Sequence, residues 1–126
     1  MNAKRNARLM VMALLVLSGV GLLGRAGAAD VNKLIMECAD CHGKDGASKD
    51  KDVPIIGGLS AAYIVQTMGM YKEKKRPCPE TKYSEGAKKG QKTDMCRIAK
   101  NLSDADLKQL GDLLASKKFV RAQQTA

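Results

Sequence analysis

Val31, Leu34, Ile35 and Cys38 recur at the i, i+3, i+4, i+7 spacing of one helix face. The pattern predicts a helix ending near Gly43, where Gly43-Lys44-Asp45-Gly46 reads as a turn. Gly46 to Gly58 follows no period and reads as an irregular loop, with Val53-Pro54-Ile55-Ile56 as an apolar stretch inside it. A second helix is predicted from near Ser60 through Ala61, Ala62, Tyr63, Ile64, Val65, Met68 and Tyr71, fading before Pro77. Pro77 to Asp94 is polar and rich in Gly and Lys, which predicts a long loop. The last helix is the best marked. Leu107, Leu110 and Leu114 form its apolar stripe and Leu113 widens it. Ser103 and Asp106 fit the N-cap and N3 places of a capping box, and Leu102 with Leu107 fits the hydrophobic staple. Lys117, Lys118 and Arg121 suit the negative end of the helix dipole. No stretch alternates with period two and no segment repeats, so the chain reads as all-α.

The N-terminus changes the count of residues that belong to this domain. Lys4, Arg5 and Arg8 precede an uncharged, mostly apolar run from Leu9 to Gly24, and Ala26-Gly27-Ala28-Ala29 supplies small residues. This is the layout of a secretory signal peptide, expected to be cleaved after Ala28 or Ala29. As a helix the apolar run spans roughly 24 Å, short of the roughly 30 Å hydrocarbon core, which argues against a retained anchor. The expected division is a leader over 1–29 and one domain over 30–126. That domain is small and poor in large aromatics, with Phe119, Tyr63, Tyr71, Tyr83 and no Trp. A protein core of this size is marginal without added support.

Cys38-Ala39-Asp40-Cys41-His42 offers that support. It is a C-x-x-C-H run, the pattern of covalent c-type haem attachment. Two thiols spaced by two residues reach the two vinyl groups on one porphyrin edge, and the adjacent imidazole supplies the proximal nitrogen to iron. A zinc site would need two further ligands at similar spacing. The other cysteines, Cys78 and Cys96, are far apart, and His42 is the only histidine. A thioredoxin-type pair would follow a strand in a βαβ unit, which the pattern does not contain. A buried porphyrin would also supply the flat apolar surface the composition lacks, so the apo-protein is expected to fold poorly.

The order of these features resembles the class I c-type cytochromes: a helix carrying C-x-x-C-H, a proline loop, a middle helix, a methionine segment and a C-terminal helix. The resemblance covers the whole domain and implies three to four helices wrapped around one covalent haem c. It assigns Cys38 and Cys41 to the thioether bonds and His42 to the proximal ligand. Pro54 takes the part of the proline whose carbonyl accepts a hydrogen bond from the free ring nitrogen of that histidine. The distal ligand must come from Met36, Met68, Met70 or Met95. Met36 shares the helix of Cys38 and cannot reach the opposite haem face, while Met68 and Met70 fall in the middle helix, where methionine more often fills core. The resemblance points to Met95, which precedes Ile98-Ala99-Lys100-Asn101-Leu102-Ser103-Asp104. A His/Met pair raises the reduction potential, which suits an electron carrier.

Cys78 and Cys96 depart from the simplest family pattern. In an oxidising compartment such a remaining pair suggests a disulfide. Closing the 78–96 loop is worth on the order of 3 kcal/mol in the loop-entropy account. The alternative is that one of them ligates iron as a thiolate, as in some haem enzymes of sulfur metabolism.

Charge narrows the partner. Of 22 basic and 13 acidic residues, the leader holds four basic ones, which leaves the domain at +5. Lys72 to Lys92 contains eight basic and three acidic residues, so the whole excess lies there. It reads either as a solvated, mobile loop or as a docking patch of Lys72, Lys74, Lys75, Arg76, Lys88, Lys89 and Lys92 for an acidic redox partner. That partner is expected to be a dehydrogenase, a flavoprotein subunit or a terminal oxidase. Nucleic acid is not expected, since the segment has only Tyr83 for stacking. The reading is a periplasmic single-electron carrier and not an enzyme. The alternatives are the haem subunit of a sulfide- or sulfur-oxidising dehydrogenase, with likeness to the cytochrome subunit of flavocytochrome c sulfide dehydrogenase and to single-haem halves of dihaem cytochromes, or a cysteine-ligated haem enzyme. A four-helix gas sensor is disfavoured, because those proteins carry C-x-x-C-H near the C-terminus.

Overall fold

The computed structural model describes residues 29–120. The leader expected over 1–29 falls outside them except for Ala29, as does Arg121. Among the described residues there are four α-helices: α1 Val31–His42, α2 Ala61–Lys72, α3 Met95–Lys100 and α4 Asp104–Ala115. The architecture is that of a class I cytochrome c.

Each long helix begins where a short polar side chain takes up a free backbone N–H. The Asp30 carboxylate accepts from Asn32 N–H, and the Ser60 hydroxyl accepts from Tyr63 N–H. At α4 the expected capping box is present in both directions: Asp106 N–H donates to Ser103 Oγ at 3.1 Å, and Ser103 N–H donates to Asp106 Oδ2 at 2.8 Å. Asp106 Oδ1 also accepts from Ala29 N–H at 2.9 Å, which ties the start of the described chain to α4. The Ser103 N–H first, then the Ser103 hydroxyl and the Ala29 N–H, hold the Asp106 carboxyl below the usual carboxylate range.

The core lies where α1, α3 and α4 meet. Leu102, Leu107 and Leu110 are buried, and Val31, Leu34, Ile35, Cys38, Met68 and Ile98 pack against them half-buried. The period-3.6 stripes of α1 and α4 thus face each other, and α2 packs along α4 and α3. Ala99 is fully buried and Leu114 almost so.

Three features differ from the expectation. The segment 77–94 is not wholly irregular. Two-residue strands, β1 Thr81–Lys82 and β2 Lys92–Thr93, pair antiparallel with Thr81 opposite Thr93. Two residues are too few for an alternation to register in the sequence. Met95 starts a short helix instead of ending a loop, because the Asp94 carboxylate caps it through Arg97 N–H. Finally, Lys117 and Lys118 lie past the end of α4, and Lys117 Nζ pairs with Asp45 at 3.1 Å.

Candidate haem-binding site

α1 places Cys38 and Cys41 three residues apart, so both lie on one side of its last turns. Both are free thiols, and burial pushes them up from their ordinary value, Cys38 to about 11 with help from the neighbouring Glu37. His42, the next residue, is buried. Its Nδ1 lies 2.8 Å from the carbonyl oxygen of Pro54. A carbonyl only accepts, so Nδ1 is the protonated nitrogen and Nε2 keeps its lone pair. Burial lowers the His42 pKa and favours this neutral form, against the smaller opposing effect of the Pro54 bond. The donor set is two thiols and one imidazole nitrogen of fixed tautomer within five residues. That set fits haem c.

The loop that delivers Pro54 is closed at its neck. Ile56 N–H and Gly57 N–H both donate to Gly46 O, at 2.9 and 3.1 Å. A Cβ on Gly46 would sit 2.5 Å from Gly57 N, and Gly46 has φ +70°, so only glycine fits there. Gly58 N–H donates to Leu114 O at 2.8 Å, which fastens the loop to the end of α4.

The 78–96 segment closes over the other side of the motif. Cys78 and Cys96 form a disulfide, with Cα atoms 5.8 Å apart. Between them the β1–β2 ribbon docks on α1. Ser84 N–H and Glu85 N–H donate to Asp40 O at 2.9 and 3.0 Å. Tyr83 OH donates to Glu37 Oε1 at 3.2 Å, and Lys88 Nζ meets the same oxygen at 2.5 Å. The hydrogen bond from Lys88 holds the Glu37 carboxyl below its usual range although burial pushes it up. Cys41 Sγ lies 3.9 Å from Lys82 O. Gly86, at φ +73°, passes so close to the Asp40 carboxylate that a Cβ would push the carboxylate aside. Met95, half-buried, starts α3 beside the disulfide. Met36 is 68% exposed, Met70 is exposed, and Met68 packs against the core.

Glu37, Asp40 and Gly86 are the residues that sequence reasoning missed. The available signal was two carboxylates flanking Cys38 and Cys41 in a chain whose only charge excess is a basic segment. The part of Lys72 to Lys92 that lies between the cysteines, read as a solvated, mobile loop or as a docking patch, is seated on α1. The basic residues of Lys72 to Lys92 are also partly neutralised. Lys72 pairs with Asp104 at 3.3 Å, Lys88 with Glu37, Lys92 with Glu80 at 2.8 Å, and Lys75 with Glu73. Arg76 lies over the Tyr71 ring, 5.2 Å from its centre. Lys74 and Lys89 have no ion pair among the described residues.

Residues 28–118 match the Cytochrome c family. The chain belongs to that family, whose members are electron carriers and not catalysts, and membership implies a covalently bound haem c. It is similar to cytochrome c4 of Pseudomonas aeruginosa, 31% identical over 113 residues that cover 89% of this chain and 49% of the relative. The chain therefore spans about half the length of that relative. Among the described residues no helix is long and apolar enough to cross a membrane.

Proposed function

We propose that the protein is a periplasmic single-electron carrier, with haem c joined to Cys38 and Cys41 and ligated axially by His42 and Met95. A haem held there supplies a one-electron ferric/ferrous couple. The observation that carries the reading is the 2.8 Å contact between His42 Nδ1 and Pro54 O. That bond fixes the tautomer, orients the ring and makes Nε2 a stronger donor. The Cys78–Cys96 bond occupies both remaining sulfurs, which favours Met95 over a cysteine as the distal ligand. The half-buried apolar side chains Val31, Leu34, Ile35 and Met68 pack with Cys38 against Leu102, Leu107 and Leu110, so the first thiol sits at the edge of the apolar core.

In this reading the leader over 1–29 directs export, and the domain begins at its cleavage point. Cleavage after Ala28 would leave the Ala29 nitrogen as an ammonium beside the Asp106 carboxylate. The partner is an acidic redox protein: a dehydrogenase, a flavoprotein subunit or a terminal oxidase. It meets the basic residues around Lys74 and Lys89, and less so those already paired.

The test of attachment is expression with haem-maturation machinery, followed by a denaturing gel stained for haem. The wild-type band retains haem, and the Cys38→Ala/Cys41→Ala variant loses it. Haem that leaves the wild-type chain on denaturation would overturn the covalent assignment.

A further inference from the structure

A cleft of about 440 Å³ lies between the end of α2 and α3, away from the C-x-x-C-H turn. Both sulfur-bearing residues of the disulfide, Cys78 and Cys96, line it. Around them stand Lys74, Arg76, Arg97 and Lys100, and among the described residues the only acidic one lining it is Asp94. Asp94 is already spent: Oδ1 caps α3 through Arg97 N–H, and Oδ2 pairs with Arg97 Nε at 3.1 Å. Lys74, Arg76 and Lys100 have no carboxylate partner among the described residues, so the cleft keeps a net positive field over the sulfur–sulfur bond.

Lys74 is held there at some cost. α2 ends in a Schellman turn, with Lys75 N–H donating to Met70 O at 2.8 Å and Lys74 N–H to Tyr71 O at 3.1 Å. The middle residue of that turn must be left-handed, a place where glycine is usual. Here it is Lys74, at φ +55°. A glycine would suit the backbone better, whereas lysine puts a cation at the cleft wall.

We infer that this cleft binds a small anion carrying a nucleophilic sulfur, and that the bound thiolate exchanges with the Cys78–Cys96 disulfide. The basic side chains attract the anionic group, and the lining cysteines present the bond to be attacked. The thiolate sulfur forms a bond to one cysteine sulfur. The S–S bond breaks, and the other cysteine sulfur leaves with the electron pair, held as an anion by the surrounding cations. The product is a mixed disulfide, and no electrons are gained or lost overall. Exchange unties residues 79–95 at their neck. The inference stands on the cleft alone and is independent of what α1 holds.

The test compares two thiols of nearly equal size and opposite charge, mercaptopropionate and cysteamine, on the full oxidised chain. Mixed-disulfide formation is followed by intact mass, located by peptide mapping, and normalised to thiolate concentration and to each thiol's rate on a neutral disulfide. At low salt mercaptopropionate is expected to react at least about tenfold faster, the lower end of electrostatic focusing by a charged cleft. The advantage should shrink at about 0.5 M salt, where screening is strong. It should also shrink in Lys74→Gln/Lys100→Gln, whose fold is checked by circular dichroism. Equal rates, a faster cysteamine reaction, an advantage that survives the double substitution, or no adduct on Cys78 or Cys96 would each overturn it.

Discussion

The two sides of the C-x-x-C-H turn are built in opposite ways. On the histidine side the fastenings that set the ring are short in sequence, although Gly58 to Leu114 and Asp45 to Lys117 also tie the loop to the end of the chain. His42 reaches Pro54 twelve residues on, and Ile56 and Gly57 bond back to Gly46. On the ribbon side the fastenings are long. Glu37 takes Tyr83 and Lys88, 46 and 51 residues away, and the Cys78–Cys96 bond closes the neck. A short loop costs little entropy to close, so glycine geometry and backbone hydrogen bonds suffice. A long, polar, lysine-rich segment has few apolar groups to bury, and it is held by a covalent tie and charged hydrogen bonds. The histidine side should therefore behave as a fixed part of the fold, and the ribbon side as a part that can be loosened separately.

Substitutions can break that contrast. The largest effect is expected from Cys38→Ala/Cys41→Ala, which removes covalent haem altogether while leaving the disulfide intact by thiol titration. Next is Cys78→Ala/Cys96→Ala, which should lower stability by about 3 kcal/mol, read from the denaturant midpoint. Its amide exchange should speed up across 81–93 and stay slow at Gly46, Ile56 and Gly57. Equal acceleration on both sides would show that they are one unit. Ser103→Ala, which serves neither side, should cost about 1 kcal/mol through loss of the α4 cap. Glu37→Gln should release the ribbon by less than about tenfold in exchange protection, as expected for a part-exposed ion pair.

Acid sharpens the same contrast. The Asp106 carboxyl is held below its ordinary value, so its contribution to stability is complete above the unfolded carboxylate value and is lost as pH falls through the depressed one. Asp106→Asn should flatten the acid limb of stability in denaturant melts below about pH 4. Glu37 acts in the same direction, so acid should also free the ribbon. Protection factors at 81–93, referenced to the intrinsic exchange rate at each pH, that are the same at neutral pH and below about pH 4 would contradict this role for Glu37.

Legibility in the sequence followed the same division. The faces of α1 and α4, the Ser103–Asp106 box and the Ser60 start of α2 are local patterns, and all of them appear as read. The tie between His42 and Pro54 came from a family resemblance resting on local residues. The ribbon and α3 were not legible, because two-residue strands and a six-residue helix are too short to set a period. The docking of Tyr83, Ser84 and Lys88 onto Glu37 and Asp40 was hidden for a different reason. It depends on a chain path that the Cys78–Cys96 bond sets, and spacing alone does not report which carboxylate a distant lysine will meet. Which of the seven basic residues meet a carboxylate of this chain was hidden for that same reason.

The most direct test of the account is the oxidised absorption spectrum of the wild-type protein and of Met95→Ala. A methionine sulfur on ferric iron gives a weak far-red band. The account predicts that band in the wild type and its loss in Met95→Ala, with haem still covalently attached in both. A wild-type spectrum without the band, or a band that persists in Met95→Ala, would contradict His42/Met95 ligation and with it the carrier proposed here.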